Sequence, residues 1–147
     1  MDQPETLRRR VEIDVDIDRM WRMVSDPALL AGWLGDTVDV RIEPGQTGTI
    51  TEHGVIKRVH IDRVDQGRAV EFTWCEQDQP AHSSRVVFEI SSSPNGTSRL
   101  DITETFSSDS SDTSLAGQSV VLAAQWESRI CVLWACTVGA ALAAVLA

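Results

Sequence analysis

The sequence contains no tyrosine and only three cysteines, and it is short of basic side chains: 13 Lys and Arg stand against 22 Asp and Glu, for a formal net charge of −9. Each shortage removes a class of function. A nucleic-acid binder needs clustered Lys and Arg to displace phosphate counterions, so nucleic acid is excluded as a partner. Cys75, Cys131 and Cys136 include no CxxC pair and leave one thiol over, which argues against a zinc site and against a disulfide framework. No glycine-rich phosphate loop and no GxSxG nucleophile elbow occurs. The stretch Met1-Asp2-Gln3-Pro4-Glu5 is polar and acidic, unlike a secretion signal, so the expected compartment is the reduced cytoplasm.

Histidine is sparse too. His53, His60 and His82 share no metal-ligand spacing, and nothing in the sequence sets a nucleophile or second acid beside them. His60, in phase with Arg58 and Asp62, reads as a solvent-facing strand residue. No metal, cofactor or catalytic residue is therefore assigned.

What is present suits one globular domain over residues 1–147, because single domains most often run to about 100–150 residues. The aromatic set is lopsided: five Trp and three Phe. Charge is lopsided as well, since only Glu127 and Arg129 are charged after Gln118 and the 18 residues Ile130–Ala147 carry none. As a helix that run would reach about 27 Å, a little short of the ~30 Å hydrocarbon core. It is rich in Ala and lacks basic flanks beyond Arg129, so we read a packed amphipathic helix in preference to a membrane segment.

Periodicity orders the rest. Leu7, Arg9, Val11, Ile13 and Val15 alternate with polar residues, which predicts a strand over Thr6–Val15. Asp16 or Asp18 caps a short helix through Val24, and Asp26-Pro27 stops it and starts another over Ala28–Leu34. From Asp36 the period is two: strands are expected around Val38–Ile42 and over Thr47–Glu52, Val55–Val64, Arg68–Cys75, Ser84–Ser91 and Thr97–Phe106, each apolar on one face. The loop Ser107–Ser114 precedes a helical pattern whose stripe is Leu122, Trp126, Ile130, Leu133, Thr137, Ala140, Ala141 and Ala144.

A strand, two short helices, six antiparallel strands and one long helix is the order of the α+β helix-grip fold, a seven-stranded antiparallel sheet wrapped around its last helix. Several local motifs occur in matching order: Met20-Trp21, Ser25-Asp26-Pro27, Trp33-Leu34-Gly35, Glu43-Pro44-Gly45, Glu71-Phe72-Thr73-Trp74, Ser84-Arg85-Val86-Val87-Phe88, Gly96-Thr97-Ser98-Arg99-Leu100 and Trp126. In these the chain resembles the bacterial relatives of the heat-shock-protein-90 ATPase activator within the START-like (SRPBCC) superfamily, over roughly residues 5–145. Gln46 stands where the relatives carry a second glycine. The resemblance implies lipid carriers, hormone receptors and polyketide cyclases among distant kin, and fold alone does not choose between them.

Within such a fold Trp33, Trp74, Phe88, Ile102, Trp126, Ile130 and Trp134 are expected to wall an apolar cavity between sheet and helix. Trp21 is expected to pack locally, and Arg85 to lie on the outer face. Glu104 shares the phase of Leu100, Ile102 and Phe106, so its carboxylate points inward, where burial without a partner costs several kcal/mol. It is expected either to meet water near an open strand end or to be the polar contact for a ligand, with Lys57 as a possible counter-charge. The leading expectation is non-catalytic binding of a hydrophobic or amphipathic small molecule. A cyclase- or aromatase-type enzyme and a chaperone-associated interaction module are the alternatives. On the back of the last helix, Ala135, Gly139, Leu142, Ala143 and Leu146 form a small, apolar row suited to pairing with a second copy, so a homodimer is expected there.

Overall fold

The computed structural model describes residues 6–80, 82–106 and 124–136. Its elements are β1 (Thr6–Ile13), α1 (Ile17–Ser25), α2 (Pro27–Leu30), β2 (Thr37–Asp39), β3 (Thr47–Glu52), β4 (Val55–Asp65), β5 (Ala69–Glu76), β6 (Ser84–Ser92) and β7 (Ser98–Phe106). A further helix, α3, covers residues 124–136. The strands form one antiparallel sheet in the order β1-β7-β6-β5-β4-β3-β2. Sequential hairpins account for every pairing except β1–β7, in which the first strand joins the last, Thr6 opposite Thr105 through Ile13 opposite Ser98.

Capping explains where the short helices start and stop. The Asp16 carboxylate accepts from the backbone N–H of Arg19 at 2.7 Å and opens α1. Asp26 serves both helices: its backbone N–H donates to the Arg22 carbonyl and closes α1, while its side chain accepts from Ala28 N–H and opens α2 behind Pro27. The second helix is shorter than the expected Ala28–Leu34. After Leu30 the bonding tightens, with Gly32 N–H donating to Leu29 and Trp33 N–H to Leu30.

The first strand ends at Ile13, two residues early, and Ser98 Oγ–H instead donates to the Val15 carbonyl. The strand expected to run to Ile42 ends at Asp39, where the chain crosses directly over Gly48. A Cβ on Gly48 would run into the Asp39 carbonyl oxygen and stand 2.7 Å from the Val40 Cβ. At the β3–β4 hairpin His53 and Gly54 take φ of 51° and 80°, the two positive values of a two-residue turn that matches strand twist. That tight turn sets Glu52 and Lys57 on adjacent strands at one end of the sheet.

The sheet's inner face carries Ile50, Val59, Ile61, Val70, Phe72, Val86, Phe88, Ile90, Leu100 and Ile102, all buried. Met20, Met23 and Val24 of α1 and Leu30 of α2 cover one part of it, and Trp126 and Leu133 of α3 close the core. No helix among the described residues is long and apolar enough to cross a membrane.

The crossing at Gly48 is a test of this packing. Gly48→Ala should destabilise the protein by about 1–3 kcal/mol, because backbone and not a pliant side chain must move. Thermal unfolding followed by circular dichroism measures it, and an unchanged midpoint would contradict the close approach.

Candidate functional site

Antiparallel pairing gathers the polar residues of the inner face at one end of the sheet. Glu52 ends β3, Lys57 lies near the start of β4, Trp74 near the end of β5, Ser84 begins β6 and Glu104 lies near the end of β7. Five positions, one from each of β3 to β7, thus meet beneath α3, which adds Trp126 and, one turn on, Arg129.

Glu104 is the hub. Its Oε1 accepts from Trp126 Nε1–H at 2.8 Å, and its Oε2 accepts from Trp74 Nε1–H at 2.9 Å and from Ser84 Oγ–H at 2.5 Å. Trp74 Nε1–H is shared with Ser84 Oγ at 3.0 Å. Glu104 is buried, as are both indoles and Ser84. Three donors spread over one carboxylate offset the desolvation that burial imposes.

A second layer of charge lies against the indoles. Arg129 grips Glu52 with two bonds, Nε–H to Oε2 at 2.9 Å and Nη2–H to Oε1 at 2.5 Å. Its guanidinium carbon lies 4.6 Å from the Trp126 ring and 5.3 Å from the Trp74 ring. Lys57 Nζ sits 4.0 Å above the Trp74 ring and 3.8 Å from Glu52 Oε1. Burial pushes the Lys57 ammonium below its ordinary value and Arg129 adds to that, while Glu52, Glu104 and Glu76 pull the other way without prevailing. For Glu52, burial pushes upward, but the hydrogen bonds and charge of Arg129, helped by Lys57 and His53, outweigh it and hold the carboxyl low.

Of the residues expected around a cavity, Trp33, Trp74, Phe88, Ile102 and Trp126 are brought together and buried, and Ile130 packs at the margin. The rings touch in a chain, Trp33–Phe88 at 5.4 Å, Phe72–Phe88 at 5.5 Å, Phe72–Trp74 at 5.3 Å, Phe88–Trp126 at 6.1 Å and Trp74–Trp126 at 6.2 Å. Trp33 also donates its indole N–H to the Met23 carbonyl at 2.9 Å, which pins the turn after α2 to α1.

Trp134 departs from expectation: it is 53% exposed. The buried arc of α3 is that of Trp126, Arg129 and Leu133, and Trp134 stands about 80° around the helix from Trp126, beyond its edge. Glu104 also differs from expectation, since both oxygens hold protein donors, and Lys57 makes its ion pair with Glu52 instead. Glu52 and Arg129 were missed from sequence. Arg129 carried a readable signal, as a lone base sharing the inward arc of Trp126 and Leu133.

On the outer face, Arg85 pairs with Glu71, and His60 Nδ1 and Thr73 Oγ lie 2.8 and 2.6 Å from the Asp62 carboxylate oxygens. Asp62 stands at the register shift between β4 and β5. Ala135 of the expected dimer row is exposed; Gly139, Leu142, Ala143 and Leu146 lie outside the described residues.

A profile of the family described as activator of Hsp90 ATPase homolog 1-like protein matches residues 14–130. No curated protein sequence matches the chain. Among solved structures the chain is similar to DynU16, a protein in the dynemicin biosynthetic locus, at a TM-score of 0.73 and 18% identity, covering 88% of this chain and 45% of that one. The chain thus spans under half the length of DynU16. It is also similar to Ms6760 from Mycobacterium smegmatis, at a TM-score of 0.70 and 19% identity, covering 91% and 94% of the two chains. CalU16 from Micromonospora echinospora aligns at a TM-score of 0.64 and 17% identity, covering 89% and 82%. At such identities the likeness is one of fold, and it shows the helix-grip arrangement of open antiparallel sheet and helix.

Two outcomes follow from the geometry. Glu104→Gln replaces an acceptor oxygen with a donor that faces an indole N–H or the Ser84 hydroxyl, and should cost about 1–3 kcal/mol in urea unfolding; an unshifted midpoint would show that the carboxylate anchors nothing. The charged pair predicts that stability rises with pH in two separate windows, an acidic one for Glu52 and an alkaline one for Lys57. Because the folded protein holds Glu52 below 4.5, its stabilisation is whole above that pH and is lost as pH falls through the folded value. Because Lys57 is held below 10.5, the unfolded chain retains the proton longer, and stability rises with pH up to about 10.5. Lys57→Met should flatten that alkaline rise relative to the unaltered protein, and equal slopes would contradict the assignment.

Proposed function

The chain belongs to the activator of Hsp90 ATPase homolog 1-like family, and from that premise and the buried cluster we propose that it binds a hydrophobic or amphipathic small molecule between sheet and α3, without catalysis. The observation that carries this reading is the Glu52–Arg129–Lys57 group, with Arg129 buried and Glu52 and Lys57 partly buried against an aromatic wall at one end of the core. Well-packed apolar side chains at the same positions would be as stable or more so. Perturbed, buried charges beside an apolar wall are the usual mark of a binding site.

Binding is favoured over catalysis by where the titratable groups are spent. Glu104 orients Trp74 and Trp126, while His53 sits in the β3–β4 turn and His60 is engaged with Asp62 on the exposed face. DynU16, similar in fold, lies in a biosynthetic locus, and the proposed ligand class takes in a biosynthetic small molecule, polyketide-like in character, beside a lipid.

Titration of the full chain against fatty acids, flavonoids and aromatic polyketides, read by Trp emission and by calorimetry, tests the proposal. A saturable emission change with matching heat is expected, and it should persist in Trp134→Phe, whose indole lies outside the core. Silence of the whole panel by both methods would overturn the reading.

A further inference from the structure

One atom narrows the chemistry of the ligand. Arg129 is 3% exposed, and its Nε and Nη2 are both given to Glu52. The remaining nitrogen, Nη1, is buried and has no hydrogen-bond partner among the described residues. A guanidinium neither titrates in the working range nor turns a nitrogen into an acceptor, so Nη1 stays a donor. Its fork is held fixed by the bonds to Glu52, and the guanidinium carbon lies close to two indole rings. The donor is therefore rigidly placed, desolvated and flanked by flat apolar surface.

Charge decides what kind of acceptor suits it. Lys57 and Arg129 supply the cations here, and Glu52 and Glu104 supply as many carboxylates, with Glu76 also acting on Lys57. An anionic ligand would enter a cluster whose positive charge is already matched, and would face the carboxylates at short range. A cationic or purely donating group offers Nη1 no lone pair. An uncharged oxygen acceptor answers the donor without upsetting the balance, and a hydrogen bond from a cation inside a water-excluded site is among the stronger neutral-ligand contacts.

The geometry points to Arg129 Nη1 as a subsite for an uncharged carbonyl oxygen, the ketone or quinone of a fused-ring ligand whose apolar body lies beside Trp74 and Trp126. This inference rests on the small-molecule reading above and specifies the group that reading leaves open. Arg129 is a binding residue in it, and Glu52 positions the fork.

The experiment uses three probes of similar size on the full chain: 1-tetralone, its carbonyl-free counterpart tetralin, and 1-naphthoate as the anion. Calorimetry should show 1-tetralone binding at least about ten-fold tighter than tetralin, as one hydrogen bond to a charged donor gives, with 1-naphthoate weaker than the ketone. The infrared stretch of carbon-13-labelled 1-tetralone should move to lower frequency on binding to the unaltered protein. Removing Arg129 alone would strand Glu52, so the variant is the double replacement Arg129→Leu with Glu52→Leu, which takes out both ions and keeps an apolar fill. It should bind 1-tetralone and tetralin alike. Equal affinities in the unaltered protein overturn the carbonyl subsite and leave the small-molecule reading standing. A preference for 1-naphthoate overturns the uncharged acceptor, and a ketone preference that survives the double replacement overturns the role of Arg129. If none of the three probes binds, this inference and the reading beneath it fall together.

Discussion

A buried carboxylate ties the interior of the sheet to its last helix. Glu104 receives the indole N–H of Trp74 from the sheet and that of Trp126 from α3, so two of the largest buried side chains are tied to one atom group in the interior. Burying it unpaired would cost more than any one apolar contact returns, and the surrounding donors are what make the position tenable. The dependence is mutual. Without the carboxylate the Trp126 N–H would be left unsatisfied in the core and the Trp74 N–H would keep only Ser84 Oγ, and the 31° tilt between the two rings would lose its common anchor.

From that constraint the division of the inner face follows. Toward one end α1 and α2 lie over the sheet and bury Met20, Met23, Val24 and Leu30, with Trp33 locked to the Met23 carbonyl. Toward the other, strand ends bring Glu52, Lys57, Trp74, Ser84 and Glu104 under α3. The apolar end supplies hydrophobic free energy at about 25 cal/mol per Å² of area buried. The polar end supplies little net stability, since ion pairs taken from water return roughly what their desolvation costs. An arrangement that is neutral for stability and specific in geometry is suited to recognition.

Most of the fold was legible because its signals are local. Period-two alternation and Asp16 and Asp26 as caps each declare themselves within a few residues. The early end of β2 was not legible, because it depends on the chain crossing Gly48, a contact between strands. The inward direction of Glu104 could be read from its phase with Leu100 and Ile102, but its partners could not: Trp74, Ser84 and Trp126 approach from three other elements. Trp134 was misplaced for a related reason. The stripe read from spacing, with Trp126, Ile130 and Leu133, is the one that packs, and Trp134 lies beyond its edge; spacing could not show that Arg129 joins the buried arc through its ion pair with Glu52. A charged residue can enter an apolar arc when it has a fixed partner, and that partner is invisible until the tertiary structure brings it near.

The same reasoning explains how α3 finds one seat on a wide apolar face. Apolar packing of Trp126, Ile130 and Leu133 tolerates sliding and rolling, because dispersion and hydrophobic burial have little directional demand. Hydrogen bonds and ion pairs do not tolerate it. Four polar contacts reach α3 from different directions: Glu104 of β7 to Trp126, Arg9 of β1 to Glu127 at 2.7 Å, Glu52 of β3 to Arg129, and the Gly32 carbonyl beyond α2 to the Cys136 thiol at 3.9 Å. A one-residue slip of the helix turns it by about 100° and shifts it by about 1.5 Å, which breaks the first three together. The sheet's grip on its helix thus draws its strength from apolar area and its position from charge. The charges that hold the position include a buried nitrogen, Arg129 Nη1, left without a partner among the described residues.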